Sequence, residues 1–165
     1  MPRGRGAGRD AEFRIEGQEF TRLLTEVKGF DRKLALQLRR NMRTAGRPIV
    51  EDVRRTVMQP PPGDVGGSVG TRAAIAKGVA LRISAAKKGG GVTIAASSRF
   101  LPANRKPMLR AYNKPNWRHP VFGNSEHWVD QQGRPYFDSV ILEHREQLRR
   151  AVELALTEAA AAIGR

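Results

Sequence analysis

Three sets of side chains in this sequence could do chemistry: the histidines, the serines, and a run of cations interleaved with aromatic rings. His119 and His127 sit eight residues apart, and the acids nearest to them are Glu126 and Asp130. A metal site needs three or four convergent ligands, and neither histidine belongs to a helical pair spaced to supply two of them. His119, ahead of Pro120, reads as a turn residue, and His144 as one position of a helix. Ser97, Ser98, Ser125 and Ser139 lie in no Gly-Xaa-Ser-Xaa-Gly setting that would lift a nucleophile out of a strand-to-helix turn. The chain has no cysteine, which removes thiol nucleophiles, thiolate zinc sites and disulfides together. The expectation is a protein without catalytic residues, metal or cofactor, and not an enzyme.

The cations are the stronger signal. The formal net charge is +14, and it is concentrated centrally: residues 56–124 hold eleven Lys or Arg against one acid, while 125–165 hold five against seven. A segment with one carboxylate cannot neutralise itself, so it requires a polyanion, an acidic protein surface or open solvent. Lys87, Lys88, Arg99, Arg105, Lys106 and Arg110 are the residues expected to meet an acidic partner or DNA. Residues 98–118 contain no acid and carry Phe100, Tyr112 and Trp117 among their cations. Such interleaving can track a nucleic-acid backbone and stack on bases, and can equally dock on an acidic neighbour. Arginine outnumbers lysine 23 to 7, which favours bidentate contacts to phosphate or carboxylate and follows equally from a GC-rich coding sequence.

The segment from Asn113 to Asp138 gathers five of the ten aromatics, and Pro115, Pro120 and Pro135 keep any long element from running through it. Rigid apolar rings on an irregular segment mean that something is gripped there, either the rest of the fold or another chain. Phe122 and Phe137 are expected in the core. Trp117, His119, Trp128 and Tyr136 are the candidates for a subunit interface.

The order His119-Pro120-Val121-Phe122-Gly123, a gap, Pro135-Tyr136-Phe137 and then a terminal amphipathic helix resembles the head–tail joining and tail-completion proteins of long-tailed bacteriophages. The resemblance covers roughly residues 11–163. In that family the aromatic-Gly pair ends a strand and the Pro-aromatic-aromatic motif leads into the last helix. A Gly-Xaa-Leu-(Arg/Lys)-Xaa-Ser-Ile-like step before the hairpin is replaced here by Gly70-Thr71-Arg72-Ala73-Ala74-Ile75. The resemblance implies a structural virion protein, made in the host cytoplasm and built into the neck as a tail-terminator-like, hexameric homo-oligomeric ring. Its partners would be neighbouring neck and tail-tube proteins, with passing contact to genomic DNA and none to a membrane. The motifs fit a tail terminator, a stopper and an accessory neck protein alike. The alternative is a basic nucleic-acid-binding module using the 99–118 loop and the N-terminal arm.

The elements that must position these residues follow from periodicity. Residues 1–10 read as a flexible basic arm and 11–165 as a single α+β domain. Glu12–Glu16 alternates as a strand does, and Phe20, Leu23, Leu24 and Val27 follow helical spacing to Gly29. Asp31 can cap a helix with Leu34, Leu38, Met42 and Ala45 on one stripe; Pro48 should kink it or start another, carrying Ile49, Val53 and Val57. The 60–70 stretch is a loop by composition and lacks a P-loop ending. Residues 79–83 and 92–96 alternate around a Lys87-Lys88 tip, as a β-hairpin does, and Asp138 can cap a last helix with Ile141, Leu148, Val152, Ala155, Ala159 and Ile163 inward. The expected architecture is α+β: one small, mostly antiparallel sheet, including a strand ending near Phe122, packed against two or three helices, with a long C-terminal helix. Phe13, Ile83, Ile94, Phe122, Phe137 and Leu148 should be buried in one layer. No run approaches 18 apolar residues and the basic N-terminus has no apolar stretch behind it, so the chain reads as neither membrane-spanning nor secreted.

Overall fold

Alternating apolar residues let a strand hide one face, and apolar residues recurring every three or four positions let a helix do so. The structure, a computed structural model, describes residues 9–16, 32–61, 69–84, 91–121 and 124–163. It is α+β. In chain order the elements are β1 (Arg9–Glu16), α1 (Arg32–Met58), α2 (Val69–Gly78), β2 (Ala80–Ser84), β3 (Gly91–Ser97), two short 3₁₀ turns (Ser98–Phe100 and Ala103–Arg105), α3 (Met108–Tyr112), β4 (Asn116–Val121), β5 (Asn124–Gln132) and α4 (Asp138–Ile163). No described helix is long and apolar enough to cross a membrane.

The chain divides into two compact units. The sheet unit contains the described residues 12–16, 32–51, 80–84, 91–94 and 141–163. Its strands follow the order β1-β3-β2. β2 and β3 are neighbours joined by six residues, too few for a parallel crossover, so they run antiparallel. β3 is buried from Gly91 to Ala96, Thr93 and Ala95 included. The simple in–out alternation expected there is replaced by burial on both faces, which befits a central strand. α1 buries Leu38, Met42, Ile49 and Val50, and at Gly46 it comes so close to β2 that an added Cβ would lie 2.8 Å from the Leu81 methyls. α4 turns Ile141, Leu148, Val152 and Ala155 inward, as its spacing predicts.

The ribbon unit contains the described residues 9–11, 52–61, 69–79, 95–121 and 124–140. Its buried apolar side chains include Val53, Val57, Ile75, Leu101, Leu109 and Tyr136. β4 and β5 form an antiparallel ribbon with Trp117 opposite Gln131 and His119 opposite Val129.

Several expectations change. The strand ending near Phe122 joins no common sheet; it pairs with β5 alone, in a separate two-stranded sheet. Pro48 starts no new helix: the helix runs on from Arg32 to Met58 with Pro48 exposed inside it. The stripe Leu38, Met42, Ile49, Val53, Val57 is buried on both sides of the proline, and that burial offsets an interior proline cost of about 3 kcal/mol. The 60–70 loop gives way at Val69 to α2, whose Thr71, Arg72 and Ile75 are buried. The expectation for the core changes at Ile83. Phe137 is buried in the ribbon unit, Ile94 and Leu148 in the sheet unit, and Ile83 is only half-buried. Residues 1–8 of the N-terminal arm, the helix expected over 20–27, Lys87, Lys88, Phe122 and the side chain of Phe13 lie outside the described residues, while Arg9 and Asp10, also expected in the arm, open β1.

Candidate binding groove on the ribbon unit

The acid-free stretch 98–118 begins at a 3₁₀ turn opened by Ser97, whose Oγ accepts from the Arg99 amide at 3.4 Å. It passes through α3 and enters β4. α3 is short, with few carbonyls satisfied inside it, and the Tyr136 hydroxyl donates to the Leu109 carbonyl at 3.2 Å in a buried position. The ribbon is tied to α3 at its base: Gly133 N donates to Pro115 O at 2.8 Å and Arg134 N to Tyr112 O at 3.1 Å. A Cβ at Gly133 would overlap the Lys114 carbonyl oxygen, so only glycine fits this closure.

Between the 3₁₀ turn, α3 and the ribbon lies an open groove of about 1040 Å³. Arg99, Lys106, Arg110, Lys114 and Arg118 line it, with no acidic residue among the lining. Its apolar surface comes from Pro107, Met108, Ala111, Pro120 and the two tryptophans. Arg118 pairs with Asp130 across the ribbon at 3.1 Å, both side chains largely exposed, so the pair contributes little stability.

Most rings in this region are already engaged within the chain. Phe100 receives Arg99 at 4.4 Å and Lys77 at 4.7 Å; Tyr112 receives Arg72 at 5.2 Å. Trp117 packs against Tyr112 at 5.9 Å and against His119 at 4.8 Å between centroids, and its buried Nε1 has no hydrogen-bond partner. Trp128 differs: it is 50% exposed. It is nevertheless held, because its Nε1 donates to Ser125 O at 2.8 Å. That bond spans an irregularity where Pro120 faces Trp128 but Val121 already faces Asn124. Asn124 stabilises the extra residues by accepting from the Glu126 amide at 2.9 Å, an Asx turn.

The structure sorts the candidates named from sequence. Arg99, Lys106 and Arg110 converge on the groove with Trp117, His119 and Trp128. Arg105 does not: its guanidinium donates to Thr71 Oγ1 of α2 at 3.2 Å. Tyr136 is 1% exposed and belongs to the core of its own unit, which leaves it no surface to offer a neighbouring subunit. Its Pro-aromatic-aromatic setting signalled burial as much as contact. Lys114 and Arg118 join the groove and were visible in sequence only as part of the basic run. Arg72 figures in the sequence only as one residue of the Gly70–Ile75 step. It is 5% exposed and donates to the Gln59 carbonyl at 2.9 Å. His119 Nδ1 lies 3.2 Å from Pro120 O and His127 Nδ1 lies 3.2 Å from Asn124 Nδ2; among the described residues no three His, Asp or Glu side chains gather as metal ligands.

Compared with known proteins, the chain matches no family model, and no curated protein or solved structure is significantly similar to it.

Proposed function

We propose that the protein is a structural component of the neck of a long-tailed bacteriophage, a tail-terminator-like subunit that works in a homo-oligomeric ring. Support comes from the order of the His-Pro-Xaa-aromatic-Gly and Pro-aromatic-aromatic motifs and from the α+β architecture that closes on a long C-terminal helix. The observation that carries the assembly part of the reading is the β4–β5 ribbon. A two-stranded ribbon is marginal by itself, yet β5 exposes every residue except the half-buried Gln131, including Trp128 at 50% and Val129 at 40%. A large fixed ring on such a strand is the kind of side chain that anchors an interface. A ring closes through two different surfaces of each subunit, and a basic groove beside a ribbon that exposes Trp128 and Val129 is one such surface.

The test is sedimentation velocity over a range of protein concentrations. The wild-type chain should sediment as a multi-subunit species, and Trp128→Ala should weaken each contact by about 2 kcal/mol while leaving circular dichroism unchanged. A wild-type chain that stays monomeric at high micromolar concentration refutes the ring.

A further inference from the structure

We infer that the groove beside α3 takes an acidic polypeptide segment bearing an apolar anchor residue, rather than a nucleic-acid strand. The charge complement is one-sided: five cations and no acid are among the described lining residues, and of the five Arg118 is paired with Asp130. Both a peptide and a nucleic acid answer that charge, so the other chemistry of the groove decides between them. Strand binding without sequence readout relies on aromatic faces left open for bases. Here Phe100 lies between two cations of its own chain, Tyr112 is covered by Arg72, and Trp117 is packed between Tyr112 and His119. Of the described aromatics in or beside the basic stretch, Trp128 alone offers a largely open ring, and one ring is not a stacking ladder.

What the groove offers instead is apolar surface next to cations. Met108, Ala111 and Pro107 belong to α3 and its approach, and Pro120 and Trp128 face each other across the ribbon. A flexible methionine beside two prolines and an indole accommodates an aliphatic or aromatic side chain. The Arg99 guanidinium suits bidentate pairing with a carboxylate flanking such an anchor, and the Lys106 and Lys114 ammonium groups add point charges beside it. The volume, about 1040 Å³, lies at the upper end of small-molecule sites and the groove is open, which fits an extended segment better than an enclosed ligand. This deepens the neck reading and rests on it for the owner of the segment, a neighbouring subunit, but not for its chemistry.

The experiment uses the full chain and fluorescently labelled polymers of equal charge: poly-glutamate, a glutamate–tyrosine copolymer, oligo-dT, and a mixed-sequence DNA duplex, followed by anisotropy at several salt concentrations. The copolymer should bind best, at least tenfold tighter than poly-glutamate, with oligo-dT and duplex weaker than either. Lys106→Glu with Lys114→Glu should weaken both polypeptides at least tenfold. Met108→Asp should abolish the advantage of the copolymer; as Met108 is half-buried, Trp128→Ala provides a second, more exposed variant with the same expected loss. Tighter binding of oligo-dT or duplex than of either polypeptide overturns the inference, as does equal binding of the two polypeptides. Assembly is followed in parallel by sedimentation. A chain that forms rings but ignores the copolymer refutes this inference alone, and a monomer that binds the copolymer refutes only the neck reading.

Discussion

Replacing Asn113 with alanine should loosen the entry into α4 even though Asn113 lies outside that helix. Its Oδ1 accepts from the Phe137 amide at 2.9 Å and from the Asp138 amide at 3.4 Å, while its Nδ2 donates to Asp138 Oδ2 at 2.8 Å. The first turn of a helix has amides with no intrahelical acceptor, so a side chain 24 residues away performs the work usually done by an N-cap. The magnitude follows from the three contacts. The Phe137 bond is short and part-buried, and losing it costs about 1 kcal/mol plus part of the desolvation of an unpaired amide. The other two are exposed, one of them long, and together add roughly 0.5 kcal/mol. Asn113→Ala should therefore destabilise by about 2 kcal/mol. With a urea m-value of about 2 kcal/mol per molar, the midpoint falls by about 1 M. Asn113→Asp keeps the acceptors and favours the positive helix end, but sets one carboxylate against Asp138, so it should fall between alanine and wild type. The assay is urea unfolding followed by far-ultraviolet circular dichroism. A midpoint for Asn113→Ala within about 0.2 M of wild type, at unchanged m, would refute the distant cap.

Two further outcomes follow from the same unit. Tyr136→Phe removes the donor to the buried Leu109 carbonyl and should cost about 1–2 kcal/mol in thermal melts, with the fold retained. Gly133→Ala places a methyl against the Lys114 carbonyl, a backbone atom that cannot swing aside, and should cost about 1–3 kcal/mol or more while raising amide exchange at Gly133 and Arg134; unchanged exchange would mean that the ribbon base relaxes freely.

Local periodicity makes the β2–β3 pair and α4 legible in the sequence, because their apolar residues recur with a period of two or 3.6, even though β3 then buries both of its faces. β5 carries no such signal. Its sequence, Asn124 to Gln132, is polar on both faces, and it is a strand because β4 supplies the hydrogen bonds, not because one face must be hidden. α2 is illegible for a related reason: glycine opens its first turn, and what fixes it is tertiary, with Thr71, Arg72 and Ile75 buried and Arg72 joined to Gln59 and Tyr112. The basic run is plain in composition, yet which cations converge is not. Arg105 and Lys106 are adjacent in sequence, but one reaches Thr71 and the other lines the groove. Tyr136 and Trp128 look equivalent as aromatics of one irregular segment, and the fold buries the first while exposing the second.

The ribbon has two outer edges, and they are not alike. Proline is tolerated in a strand where its missing donor faces away from the ladder, so Pro120 leaves a gap on the outer edge of β4. β5 has no proline or glycine, and beyond its irregular start it presents the run from Trp128 to Gln132. Strand addition could therefore proceed on one side only, and repeated stacking of ribbon on ribbon, the route to fibres, halts after a single step. A closed ring of such subunits has to be stitched by side chains, because a shared sheet cannot be passed from one subunit to the next around the circle.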